Sequence, residues 1–303
     1  MRPSARNHID RELARCLASN AARPAADIAT MTPQQARAVY AESRLPWNTG
    51  LPAMAEVVQG TLKSGAGEIR FVRLVPEQAE PGLVVYLHGG GWVTGSIETH
   101  DGIMRRIADL SCRAVVGLDY PLAPEARRAG ILAACVSAVR QMMDGGDAPV
   151  VLAGDSAGAE LSLATALALR DQGRRLPGGL CLAYPALWPR FDTPSHVRLG
   201  DGRFGHSTRK MQVYWRHYLG DGEEPLPDAP ELVDLPRCFL LGAELDCLLD
   251  DTLDLSRQLT AAGIAHEVSV PKGSVHGFLH YSSAASIAME ALEEMARFIS
   301  ACG

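Results

Sequence analysis

The sequence predicts an α/β protein: a mostly parallel, eight-stranded sheet flanked by helices, with a helical cap over one end. Three observations carry this. Leu83-Val84-Val85-Tyr86-Leu87, Ala114-Val115-Val116-Gly117-Leu118 and Val150-Val151-Leu152-Ala153 are continuous apolar runs, the pattern of strands buried on both faces. Stretches of helix length alternate with such runs, and that rhythm builds a parallel sheet covered by crossover helices. One strand-to-helix junction carries Gly154-Asp155-Ser156-Ala157-Gly158, a serine with glycine two residues away on each side. That spacing suits a strained turn in which strand and helix cross closely and the serine hydroxyl is thrust outward.

The elements follow in order. Residues 1–50 read as a separate helical segment. Ile9, Leu13, Cys16 and Leu17 share one helical face, and Thr32, Pro33 and Gln35 form the start signal of a second helix. Pro46 to Pro52 breaks the chain. Val57-Val58 and Ile69 to Val75, either side of Gly65-Ala66-Gly67, predict an edge hairpin. Helices over Ile103–Leu110, Ile131–Met143 and Ala159–Arg170 separate the next strands. Leu180–Tyr184, Cys238–Gly242 and Ala265–Val270 complete the sheet, with helices over Leu249–Ala262 and Ser283–Ser300. Residues 188–236 interrupt the rhythm, being rich in Pro, Gly, aromatics and charge, with a helix near Arg209–Tyr218. A connection of that length predicts a second cap segment inserted into a core of 51–187 and 237–303.

Composition narrows the classes. A hydrophobic content of 47% with 21% charged residues excludes disordered and fibrous chains. The net charge of −6 argues against nucleic acid or an anionic membrane as partner, and no apolar run approaches the ~18 residues of a membrane span. The polar residues after Met1 do not form a signal core. Seven dispersed cysteines without a C-x-x-C pair imply reduced thiols, a cytoplasmic protein and no metal or other cofactor.

Acyl transfer by a serine needs a base, an acid to orient it and donors for an oxyanion. His276 follows the last strand, at the strand end where open α/β sheets gather catalytic groups. His206, His217, His266 and His280 read as ordinary histidines. Asp246 lies in the loop after Cys238–Gly242, whereas Asp250 and Asp251 suit the first turn of the next helix, with Asp250 the alternative acid. Backbone donors are expected from Ala157 and from Gly89-Gly90-Gly91 after a buried strand.

His88-Gly89-Gly90-Gly91-Trp92, Asp119-Tyr120-Pro121-Leu122-Ala123-Pro124-Glu125, Gly154 to Gly158, Asp246-Cys247-Leu248-Leu249-Asp250 and Val275-His276-Gly277-Phe278 resemble the motifs of bacterial hormone-sensitive-lipase-like carboxylesterases. The resemblance runs from about Leu83 to the C-terminus and implies an α/β-hydrolase core with a helical cap. It implies a Ser156, Asp246, His276 triad, an oxyanion hole of Gly90, Gly91 and Ala157, and Glu125 as a carboxylate bracing the turn. The chain departs from the family at Ala159, Glu160, Ala126-Arg127-Arg128-Ala129 and Cys247. Glu160 is expected on the exterior of its helix. Among apolar residues of the segments near the site, Trp92, Leu248 and Phe278 are the expected substrate contacts, with Trp188, Phe204, Met211 and Trp215 in the same neighbourhood.

The function expected is hydrolysis of short- to medium-chain carboxylic esters, with a small-molecule ester as partner. An amidase or deacetylase would use the same triad. A non-catalytic receptor of this fold is disfavoured by the presence of His276, and a lipase by the charged residues interspersed in the cap. The resemblance also implies a homodimer through the sheet edge near His266 to Val270.

Overall fold

The computed structural model describes residues 8–21, 29–65, 67–146, 148–220 and 232–302. The predicted signals at residues 1–7, the turn residue Ala66 and part of the second cap segment, 221–231, lie outside the described residues.

Eight strands form one sheet: β1 (Met54–Ser64), β2 (Gly67–Pro76), β3 (Glu80–Leu87), β4 (Arg113–Asp119), β5 (Val150–Asp155), β6 (Gly179–Ala183), β7 (Cys238–Leu241) and β8 (His266–Ser269). Their spatial order is β1-β2-β4-β3-β5-β6-β7-β8. β1 and β2 pair antiparallel, β2 pairs antiparallel to β4, and every later pairing is parallel. The continuous apolar runs follow from this. In β3, Val84 and Tyr86 enter one core while Val85 and Leu87 enter the other, so both faces of the pleat are buried.

The first core packs under α3 (Ile97–Ser111) and α9 (Ser286–Ser300), and the opposite core under α4 (Arg128–Asp144), α5 (Ala157–Asp171) and α8 (Leu249–Ala261). Among the described residues four further helices lie outside these layers: α1 (Arg11–Ala21), α2 (Pro33–Arg44), α6 (Pro194–Leu199) and α7 (Thr208–Leu219). α1 buries Leu13 and Cys16, two members of the predicted face. α2 begins with the full capping box: Gln35 N–H donates to Thr32 Oγ1 and Thr32 N–H donates to Gln35 Oε1. The six-residue α6 was not predicted. No helix among the described residues is long and apolar enough to cross a membrane.

Two carboxylates depart from expectation. Glu160 does not face outward; it is fully buried in the first turn of α5. Its Oε2 accepts from Trp92 Nε1 (3.2 Å) and from the Tyr218 hydroxyl (2.8 Å), and Arg128 Nε lies 3.4 Å from its Oε1. The carboxylate thus joins the glycine-run loop, α5, α7 and the start of α4. Periodicity could not reveal this, because α5 lies between the sheet, α4 and the Trp92–Tyr218 stack and buries nearly all its circumference. Glu125, expected to brace the serine turn, is half-exposed and pairs instead with Arg37 of α2 (2.6 Å). Arg37 also donates to the carbonyls of Val93 (2.8 Å) and Ala123 (3.0 Å), which pins α2 beside the glycine-run loop.

Burial raises the Glu160 carboxyl above its ordinary range, against the opposing pull of Arg128, Tyr218 and Trp92. A raised native value means that this group stabilises the fold at low pH and loses that contribution as pH rises through it. Glu160→Ala, which strands two buried donors, should lower the unfolding free energy by about 3 kcal/mol. Glu160→Gln, which retains an acceptor oxygen, should lose less than half of that and remove this component of the pH slope. Urea unfolding of both variants across pH 5–8 measures the two effects.

Candidate active site

β5 ends at Asp155 and α5 begins at Ala157, so Ser156 alone makes the turn. Its backbone sits at φ 53°, ψ −116°, a strained conformation for a residue with a Cβ. The strain is held from both sides: Ser156 N–H donates to Ala183 O (2.8 Å), and Ser156 O accepts from Ala159 N–H (3.1 Å) and Ala186 N–H (3.3 Å). The flanking glycines are required by proximity rather than by φ. A Cβ on Gly158 would collide with the Leu87 carbonyl oxygen, and one on Gly154 would lie 2.5 Å from Gly158 O.

The loops after β7 and β8 are laced together by a bridge between Leu245 and Val275, with Leu245 N–H donating to Ser274 O (2.9 Å). That bridge sets Asp246 against His276. His276 Nδ1 lies 2.6 Å from Asp246 Oδ2, and its Nε2 lies 3.0 Å from Ser156 Oγ. A carboxylate can only accept, so Nδ1 carries the proton and Nε2 receives the serine hydroxyl. Asp246 is buried, and its other oxygen accepts from Leu248 N–H (3.1 Å). Asp250 and Asp251 are committed elsewhere. Asp250 accepts from Ser195 N–H (2.6 Å), and Asp251 accepts from Leu187 N–H (2.8 Å) while burial pushes its carboxyl up to about 7.

Gly90 (φ 124°) and Gly91 (φ 61°) line the same cavity as Ser156. Both need a missing side chain: a Cβ would meet Thr94 O at Gly90 and the Tyr214 ring at Gly91. Asp155 anchors this loop. Its Oδ1 accepts from Gly89 N–H (2.8 Å) and from the Tyr86 hydroxyl (2.9 Å). Burial opposes its charge, but His100, His280 and Tyr86 hold the carboxyl well below the usual range. Ala157 opens α5, and first-turn N–H groups of a helix have no intrahelical acceptor. The site therefore combines a hydroxyl, a correctly oriented imidazole and backbone amides around one cavity of about 810 Å³.

The expected substrate contacts are corrected. Trp92, Leu248 and Phe278 are completely or almost completely buried and do not line the cavity. Trp92 instead stacks on Tyr218 (4.2 Å, 3° between planes) and packs against Trp215 at 4.5 Å. Trp188 and Trp215 are also absent from the wall, whereas Phe204 and Met211 are on it. Apart from the glycine-run loop, the serine turn and the segment from His276 to Tyr281, the wall is drawn from α1, α2, the Gly202–His206 turn and α7, all distant in sequence from the serine.

Two histidines read as ordinary belong to the site. His206 lies flat on the His276 ring, centroids 4.1 Å apart and planes within 15°, and its buried Nε2 has no hydrogen-bond partner. Burial, reinforced by His276 and Lys210, pushes it well below its usual value, so it is neutral. His280 lines the cavity with its Nε2 3.4 Å from the Tyr40 hydroxyl. No metal-ligand spacing marked them, yet His100, Asp155 and His280 bring ligand atoms within 4.8 Å of one another, a donor set able to hold a divalent cation. His100 Nε2 lies 3.4 Å from Asp155 Oδ1 but is not aligned to hydrogen-bond it.

Comparison with known proteins agrees with this fold. The family model described as the alpha/beta hydrolase fold matches residues 84–280, and the chain belongs to that family. Three solved structures are similar over 97% of this chain and 98% of their own. One is an ester-hydrolase from the metagenome of Lake Arreo in complex with a bipyridine phosphonate derivative (30% identity, TM-score 0.87). Another is a hyperthermophilic esterase from the archaeon Pyrobaculum calidifontis (28%, 0.89), and the third an α/β-hydrolase enzyme from the same lake metagenome (29%, 0.88). The protein is an esterase-type α/β hydrolase, a carboxylic-ester hydrolase of the hormone-sensitive-lipase-like group.

Gly158→Ala forces a methyl group into the Leu87 carbonyl, so strand β3 and α5 must separate. Its midpoint in thermal unfolding should drop by several degrees or the variant should fail to accumulate as folded protein. Gly130→Ala, at a site with open space around its Cβ, should match wild type.

Proposed function

We propose that the protein hydrolyses short- to medium-chain acyl esters through a Ser156-His276-Asp246 triad and an acyl-enzyme. The observation that carries this is the unbroken chain of contacts from Ser156 Oγ to His276 (3.0 Å) to Asp246 (2.6 Å) on the wall of the cavity. His276 Nε2 takes the serine proton as Oγ attacks the ester carbonyl. Asp246 keeps Nδ1 protonated, fixes the ring and stabilises the imidazolium without taking its proton. N–H groups of Gly90, Gly91 and Ala157 receive the developing oxyanion, where one donor is worth about 3 kcal/mol. The imidazolium then protonates the leaving alcohol, and water activated by the same imidazole releases the acid. The strained turn supports the reading, since it holds the hydroxyl in position before substrate arrives. The helices in residues 1–50 and 188–236 act as a cap that shapes the acyl and alcohol pockets and limits water. The known esterases of similar structure support the ester reading over the amide one.

Ser156→Ala should lower kcat on p-nitrophenyl acetate or butyrate by roughly 10⁴–10⁶ and abolish labelling by a fluorophosphonate. Asp246→Asn should cost about 10⁴ in kcat by permitting the wrong tautomer. A folded Ser156→Ala protein that retains wild-type turnover rules the mechanism out.

A further inference from the structure

We propose that Arg44 is a carboxylate-recognition site, so that the preferred ester carries a negative charge on its acyl or alcohol portion. The substrate class rests on the serine-hydrolase reading above; the anion site itself does not. Arg44 is the last residue of α2 and lines the cavity that Ser156 and His276 share. Its guanidinium lies against two rings, 5.2 Å from the Tyr40 centroid and 5.9 Å from that of Tyr281. Nη1 donates a long hydrogen bond to the Tyr281 hydroxyl (3.3 Å), the Tyr40 hydroxyl also interacts with the guanidinium, and Nε is buried without a partner. Among the described residues no carboxylate pairs with it. Nη2 lies over the backbone next to His276, since a Cβ on Gly277 would be 3.4 Å from it.

The guanidinium is half-buried and carries five N–H donors, few of which find a protein acceptor, and its charge has no carboxylate to answer it. The neighbouring imidazoles bring no negative charge to the guanidinium: burial, Arg44 itself and His100 push His280 well below its usual value, and burial does the same for His206. The other cations on the wall are already engaged, Arg203 with Asp201 (2.8 Å) and Lys210 with the Gly205 carbonyl (3.0 Å). A carboxylate entering the cavity supplies the missing acceptors at Nη2. The closeness of Nη2 to Gly277 places that carboxylate a few bonds from the scissile carbonyl, as in a half-ester of a short dicarboxylic acid. A structural role, in which the tyrosines alone employ the cation, makes the opposite prediction about ligand charge.

The test compares the mono-p-nitrophenyl ester of succinic acid with p-nitrophenyl pentanoate, a neutral ester of similar length. The wild type should show a KM for the anionic ester about tenfold or more below that for the neutral one. In Arg44→Gln that ratio should collapse towards one through KM, and Arg44→Lys should keep part of it. Calorimetry of the Ser156→Ala protein with free glutarate and with glutaramide reads the anion site without turnover; glutarate should bind and glutaramide should not. Equal KM values in the wild type, or a ratio unmoved by Arg44→Gln, overturn the proposal. Should neither ester be hydrolysed, the hydrolase reading fails, and glutarate binding lost in Arg44→Gln still decides the anion site.

Discussion

One buried carboxylate, that of Asp155, couples the two halves of the site. It is the residue before Ser156, and it takes hydrogen bonds from Gly89 N–H and the Tyr86 hydroxyl at the end of the neighbouring strand. The serine turn and the glycine-run loop are therefore fixed to one another by a buried charge. Parallel pairing of β3 with β5 already places both at the same end of the sheet, Leu87 beside Gly154. Asp155 then sets their separation at the scale of a hydrogen bond. A charge-assisted bond in a dry site is stiff and costly to leave unmade, and hydroxyl and amides both depend on that stiffness.

Asp246 and His276 reach the serine by a second route, from the other side of the sheet's centre. β7 and β8 each end in a loop, and the Leu245–Val275 bridge continues their pairing past the strands themselves. Asp246 and His276 follow directly, one residue beyond each partner. Only short-range backbone pairing is needed to align the charge, the imidazole and the hydroxyl.

Legibility in the sequence tracked the range of the interaction that decides each feature. The buried strands and the Thr32-Pro33-Gln35 helix start were readable because local pattern settles them, and chain position anticipated the loop in which Asp246, rather than Asp250, lies against His276. The locations of Trp92, Leu248 and Phe278 were not. Being near the site in sequence says nothing about which way a side chain turns, and these three turn into the core. Glu160 was misjudged because its partners lie 68 residues back at Trp92 and 58 residues ahead at Tyr218. His206 was unreadable for the same reason: its stacking on His276 joins a turn before α7 to a loop after β8. The cavity wall is the part of the protein least fixed by local pattern.

The Glu160 junction also limits how the cavity can be reached. α7 is tied through Tyr218 to the same carboxyl oxygen that holds Trp92, so the helix cannot swing outward without withdrawing the Tyr218 hydroxyl from a buried carboxyl group and breaking the Trp92–Tyr218 stack. α7 behaves as masonry rather than as a door. Access is left to the α1, α2 and Gly202–His206 side, where the wall is made of short segments joined by side-chain contacts. Change of substrate size in this scaffold is thus a matter of remodelling those segments, with the α7 side serving as the fixed abutment.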